Sequence, residues 1–159
     1  MIVCKIIFLD FDGVLNSEKY LAAHEGYGVM LDPTRMVLLK QIVDATDAKI
    51  VLSTSWREHW SNDLTKCDST GVLMNRLFDT YGLQIFDKTP KLHKRRETEI
   101  KTWLDQHPEV ESFVVLDDML LSADYLKGHF VKTSNYFDGL DESDKQKAIA
   151  ILNSKGVVL

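Results

Sequence analysis

Residues 6 to 16 read Ile6-Ile7-Phe8-Leu9-Asp10-Phe11-Asp12-Gly13-Val14-Leu15-Asn16, an apolar run closed by two aspartates one residue apart. The run is of strand length, and its unbroken apolar character predicts a strand covered on both faces, as in a parallel sheet. Carboxylates at the carboxyl end of such a strand fall where open α/β sheets bind their ligands. Two acidic side chains there are costly unless something cationic joins them. In an extended strand residues two apart point the same way, so Asp10 and Asp12 can share one site, and Gly13 gives the chain freedom to turn away. The natural partner is Mg²⁺, a hard cation that takes oxygen ligands.

Beyond this stretch the chain alternates strands and helices. The polar, glycine-containing segment from Asn16 to Met30 reads as a loop or flap. Asp32-Pro33 then forms a helix start, because aspartate caps and proline suits the first turn. Met36, Leu39, Ile42 and Val43 give that helix an apolar stripe up to about Asp44. A second strand at Lys49 to Leu52 runs into Ser53-Thr54-Ser55-Trp56-Arg57. The span 58 to 90 predicts a helix near Gly71 to Tyr81 and a short strand at Leu83 to Phe86. Ile100, Trp103 and Leu104 mark another helix, ended near His107-Pro108. Phe113 to Leu116 form a further strand that ends in two acids, Asp117-Asp118. Phe130 to Lys132 read as a fourth central strand and Asp141 to Asn153 as a terminal helix. Without repeats, low-complexity tracts or linkers, residues 1 to 159 read as a single doubly wound α/β domain, its mainly parallel sheet carrying helices on both faces.

Composition excludes several other classes. A chain of 159 residues is long enough to bury a core without disulfides or structural metal. Cys4 and Cys67 lie far apart with no metal-ligand spacing, which predicts reduced, partly buried thiols. The five histidines show no paired ligand spacing either. The beginning of the sequence does not resemble a signal peptide, and no later run reaches membrane-spanning length, so a cytoplasmic chain without a membrane partner is expected. No obligate protein partner is evident. A formal net charge of -5 argues against a broad electrostatic track for nucleic acid, while leaving room for a local basic patch.

The chemistry comes from strand ends. One strand supplies Asp10 and Asp12, another Ser53 and Thr54, a third Asp117 and Asp118, and parallel strands bring such ends to one edge of the sheet. Clustered carboxylates raise one another's pKa, and a divalent cation keeps them ionised. With hydroxyls and basic side chains added, the set suits phosphoryl transfer. An aspartate can attack phosphorus, and a second carboxyl group can protonate the leaving alcohol and then activate water.

These motifs resemble those of the haloacid dehalogenase (HAD) superfamily of aspartate-nucleophile phosphohydrolases, in type and in order along nearly the whole chain. The first motif matches Asp10-Phe11-Asp12-Gly13-Val14, which implies that Asp10 is the nucleophile and a Mg²⁺ ligand. Asp12 is then the general acid/base, its main-chain carbonyl also contacting Mg²⁺. The second matches Ile50-Val51-Leu52-Ser53, with Thr54 an equal alternative for the phosphate-binding hydroxyl. The fourth matches Val114-Val115-Leu116-Asp117-Asp118, implying that Asp117 ligates the metal and that Asp118 ligates it or orients its water. For the basic third motif Lys91, Lys94, Arg95 and Arg96 compete; Arg96 is favoured, four residues before Ile100 at the helix entrance. Only about 40 residues separate Asp12 from Ser53, and the 33 residues from Glu58 to Pro90 hardly hold a full cap, so a HAD-like Rossmannoid domain without a large cap is expected. The detailed pattern is similar to HAD domains of RNA-repair proteins and polynucleotide 3′-phosphatases.

The resemblance therefore implies a Mg²⁺-dependent phosphomonoesterase with an aspartyl-phosphate intermediate, acting on phosphorylated substrates such as nucleic-acid 3′-phosphate ends. A phosphatase for nucleotides or sugar phosphates is the alternative. A non-enzymatic receiver-like domain fits less well, because receivers place the phospho-accepting aspartate on a middle strand, and here that strand ends in hydroxyls. Arg57 is expected either to bind substrate phosphate or to form a surface ion pair. Trp56 and Trp60 read as packing residues rather than base-stacking platforms, and Trp103 and Phe113 as core.

Overall fold

The computed structural model describes residues 3–24, 26, 29–134 and 137–154. Five strands, β1 (Cys4–Leu9), β2 (Lys49–Leu52), β3 (Ile85–Lys88), β4 (Val110–Asp117) and β5 (Phe130–Lys132), form one parallel sheet in the order β3-β2-β1-β4-β5. The chain steps outward from β1 to β3, then returns to the other side of β1 to add β4 and β5. The order therefore reverses between β1 and β4, and their carboxyl ends flank the crevice where open sheets bind ligands.

Among the described residues the α-helices are α1 (Glu18–Ala23), α2 (Pro33–Thr46), α3 (Ser69–Thr80), α4 (Arg96–Asp105) and α5 (Glu142–Asn153). Strand alternation sorts the apolar residues into two cores. Ile7, Leu9, Ile50, Leu52, Val114 and Leu116 pack with Met36, Leu39, Met74, Phe78 and Leu152 of α2, α3 and α5. Ile6, Phe8, Val51 and Val115 pack on the opposite face with Ile100 and Trp103 of α4. Phe8 is fully buried and meets Trp103 and Phe113 edge-on, with ring centroids 5.4 and 5.9 Å away. Each such aromatic pair adds about 0.5–1.5 kcal/mol beyond area burial. Burial on both faces is why the strands read as continuous apolar runs.

Several boundaries differ from expectation. The third strand runs over Ile85–Lys88 rather than 83 to 86, and β4 begins three residues earlier than expected. The segment from Asn16 to Met30 contains α1, whose N-cap Ser17 accepts from the Tyr20 N–H at 3.1 Å. This six-residue helix buries none of its residues, so it carries no apolar stripe to announce it. Residues 25, 27 and 28 of the expected flap lie outside the described residues. Phe113 is half-buried, stacked on His129. Cys4 and Cys67 are free and partly buried. No helix among the described residues is long and apolar enough to cross a membrane, and no large cap domain is inserted between the strands.

Candidate active site

Strand register places the expected groups side by side. Leu9 is level with Leu116 on one side and with Leu52 on the other. The next residues are therefore neighbours: the Asp10 N–H donates to Leu116 O at 3.1 Å, and the Ser53 N–H donates to Leu9 O at 3.0 Å. Asp10, Asp117 and Asp118 each offer a carboxylate oxygen, and these atoms lie within 4.8 Å of one another. Asp10 and Asp117 are buried; Asp118 is partly so. Asp10 Oδ1 accepts from the Phe11 N–H at 2.9 Å, and Asp117 Oδ1 from the Met119 N–H at 2.9 Å.

Arg96, the first residue of α4, reaches into this cluster. Its Nη1 donates to Asp10 Oδ2 at 3.1 Å and to Asp117 Oδ2 at 2.7 Å. Of the other members of the basic run, Lys91 pairs with Glu58, while Lys94 and Arg95 are exposed. Burial pushes the Asp10 carboxyl up from 3.8 to about 7, against the pull of Arg96 and with the help of the Asp117 and Asp118 charges. Burial likewise raises Asp118, with Asp117 adding to it. For Arg96 burial works against its charge, but Asp10 and Asp117 outweigh it and the net shift is upward.

Three close carboxylates with a single guanidinium between two of them form an all-oxygen donor set that fits a hard divalent cation such as Mg²⁺. The local backbone is shaped around the same group. Gly13 has φ +83°, and a Cβ there would stand 2.5 Å from Asp118 Cγ, so only glycine lets the β1 turn close onto that carboxylate. Thr133 after β5 donates to Gly13 O, tying the turn from the far side.

Asp12 is not part of that carboxylate set. Its exposed side chain accepts from Asn16 Nδ2 through Oδ1 and from Trp56 Nε1 through Oδ2, both at 3.0 Å. Neither donor was marked by the sequence for this role. Trp56 packs against the core as expected, but its indole N–H is spent on Asp12. Forty-four residues separate the pair, and no periodic signal links them.

Ser53 and Thr54 are both buried, with different fates. Thr54 Oγ1 caps the 3₁₀ turn Ser55–His59, accepting from the Trp56 N–H at 3.3 Å. Ser53 Oγ is buried with no hydrogen-bond partner. Arg57 corrects the expected surface ion pair. It is buried, donating through Nε to Thr89 O at 3.1 Å, through Nη1 to Thr54 O at 2.9 Å, and through Nη2 to Glu99 Oε1 at 3.0 Å and Pro90 O at 3.5 Å. With four protein acceptors around it, the guanidinium anchors the 3₁₀ turn, and its ion pair with Glu99 is buried rather than on the surface. Glu99 Oε2 in turn accepts from the Leu92 N–H at 2.7 Å, pinning the loop that leads to Arg96.

An open parallel sheet with acids at the ends of β1 and β4, a hydroxyl at the end of β2 and an arginine opening the helix before β4 defines a HAD-type domain. The family model described as the HAD domain in Swiss Army Knife RNA repair proteins matches residues 6–144, and the chain belongs to that family. The search of curated proteins found no match, and neither did the search of solved structures.

Proposed function

We propose that the chain is a Mg²⁺-dependent phosphomonoesterase that works through an aspartyl-phosphate on Asp10, with nucleic-acid 3′-phosphate ends as its substrate class. The observation that carries the reading is the cluster of Asp10, Asp117 and Asp118 with Arg96 between the first two. The family's phosphatase-type chemistry and its description as a domain of RNA-repair proteins support the substrate class. So does the lack of a large cap, because an exposed Asp12 admits a bulky ester.

In this mechanism Asp10 attacks phosphorus, and Asp12 gives its proton to the departing ester oxygen, then takes one from the water that cleaves the acyl phosphate. Arg96 and the Ser53 hydroxyl bind phosphoryl oxygens, whose charge Arg96 offsets as it develops. Asp10, Asp117, Asp118 and the Asp12 carbonyl would hold Mg²⁺, which supplies charge neutralisation at the phosphoryl group when bound.

The test is phosphate release, with and without Mg²⁺, from oligonucleotides phosphorylated at the 3′ or 5′ end, nucleotides, sugar phosphates and an aryl phosphate. Turnover is expected to require Mg²⁺, to favour the 3′-phosphorylated oligonucleotide and to disappear in Asp10→Asn. Full turnover in that variant removes the nucleophile assignment, and a preference for sugar phosphates removes the substrate class.

A further inference from the structure

We propose that Trp56 is a positioning residue for Asp12, holding the proton-carrying carboxyl group through its indole N–H; the inference rests on the reading of Asp12 as the general acid. Asp12 lies in the turn after β1 and is exposed, so burial does not select its rotamer. What fixes it is one N–H on each oxygen, from Asn16 Nδ2 and Trp56 Nε1, both at 3.0 Å. A carboxyl oxygen has two lone-pair directions, so one N–H per oxygen leaves room for the transferable proton and the leaving group.

The two donors are themselves held. Asn16 is buried, its Oδ1 accepts from the Gly13 N–H at 3.0 Å, and its Nδ2 also donates to Met30 O at 2.8 Å. Trp56 rides on the turn Ser55–His59, which Thr54 caps and the buried Arg57–Glu99 pair anchors. The indole nitrogen is a donor only and cannot carry the proton in place of Asp12. This gives the conspicuous Trp56-Arg57 pair after the second motif two linked jobs: Arg57 fixes the turn, and Trp56 transmits that fixity to the acid.

In the step concerned, a bond forms between an Asp10 carboxylate oxygen and phosphorus, the ester P–O bond breaks, and the Asp12 proton moves to the departing oxygen. Acid assistance matters for an alkoxide leaving group and little for nitrophenolate. The value of kcat/KM reports this first chemical step and not hydrolysis of the acyl phosphate, so its leaving-group dependence isolates the acid.

Trp56→Phe keeps an aromatic ring and removes the N–H. It is expected to lower kcat/KM for an alkyl phosphate about tenfold or more, a fraction of what a general acid supplies, while changing the 4-nitrophenyl phosphate value less than about threefold. Asp12→Asn is the reference and should show the same dependence more strongly. An equal fall for both substrates, or none, in Trp56→Phe overturns the positioning role even when Asp12→Asn behaves as an acid variant. Absence of leaving-group dependence in Asp12→Asn instead removes the underlying reading, and the proposal with it. A measurement independent of turnover and of the folding of Trp56→Phe is the indole N–H resonance of Trp56 in the ¹⁵N-labelled protein. It should move upfield in Asp12→Asn while those of Trp60 and Trp103, which donate to Asn75 and Asp87, stay in place. An unmoved Trp56 resonance overturns the proposal.

Discussion

Arg96 Nη1 lies 3.1 Å from Asp10 Oδ2, so the guanidinium that opens α4 is the direct counter-charge of the carboxylate that ends β1. The same nitrogen bonds Asp117, and removing it leaves two buried acids facing each other. Arg96→Ala is expected to lower kcat/KM about 10²-fold or more, since it deletes a preorganised charge at the phosphoryl site. It should also move the acid limb of the pH profile upward, because Arg96 is the main influence lowering the Asp10 pKa. Arg96→Lys should recover part of the loss. A pH–rate profile of both variants checks this, and an unshifted acid limb in Arg96→Ala contradicts it.

The Asp10 pKa also sets how metal and pH act on stability. Asp10 ionises at about 7 in the fold, and near 4 in an unfolded chain. A pKa raised by folding means that the native state binds the proton more tightly. The stabilisation is therefore complete below about pH 4 and lost as pH rises towards 7, at up to about 1.4 kcal/mol per pH unit for one proton. The upward shift of Asp118 acts in the same sense. The melting temperature in a chelator should accordingly fall between about pH 4 and 7. Added Mg²⁺ should stabilise more as pH rises through this window, because its ligands must be deprotonated. Asp10→Asn should flatten the chelator series; a wild-type slope that survives in that variant assigns the effect to other groups.

How far these relationships were legible in the sequence depends on whether a residue acts through its own strand or through a distant partner. Asp10, Ser53 and Asp117 each end an apolar run, and parallel pairing alone aligns such ends, so their gathering is legible in the sequence. Among the four basic candidates the distance to Ile100 favours Arg96, and α4 begins at that residue. Arg57 and Trp56 could not be read this way. Arg57 carries the charge of a surface or phosphate-binding residue, and only the close approach of Glu99, Thr89 and Pro90 makes it internal. The apolar body of Trp56 predicted packing correctly, while the destination of its N–H depends on a turn whose geometry periodicity does not encode.

The two hydroxyls after β2 should separate cleanly under substitution. Ser53→Ala removes a buried hydroxyl that has no protein partner, so the fold should be no less stable, while phosphate turnover falls about tenfold or more if Ser53 is the phosphate ligand. Thr54→Val removes the cap of the turn Ser55–His59, costing about 1 kcal/mol, with a smaller kinetic effect. Chemical denaturation and steady-state kinetics on both variants decide the register; the reverse pattern would give the phosphate-binding role to Thr54.

The Arg57–Glu99 pair makes the opposite prediction, because both side chains are about nine-tenths buried and their N–O distance is 3.0 Å. Removing one partner strands the other charge away from water, which costs about 3–5 kcal/mol, whereas replacing both by apolar residues of similar volume can be nearly neutral. Arg57→Met and Glu99→Leu should each be strongly destabilised, and the double variant should recover much of the loss. If Arg57 instead bound substrate phosphate, Arg57→Met would raise KM with little change in stability, and Glu99→Leu would not compensate. Urea denaturation of the four proteins of this cycle, with KM measured where they remain folded, distinguishes the anchor from the ligand. The structural reading requires the coupling to appear in stability without substrate present.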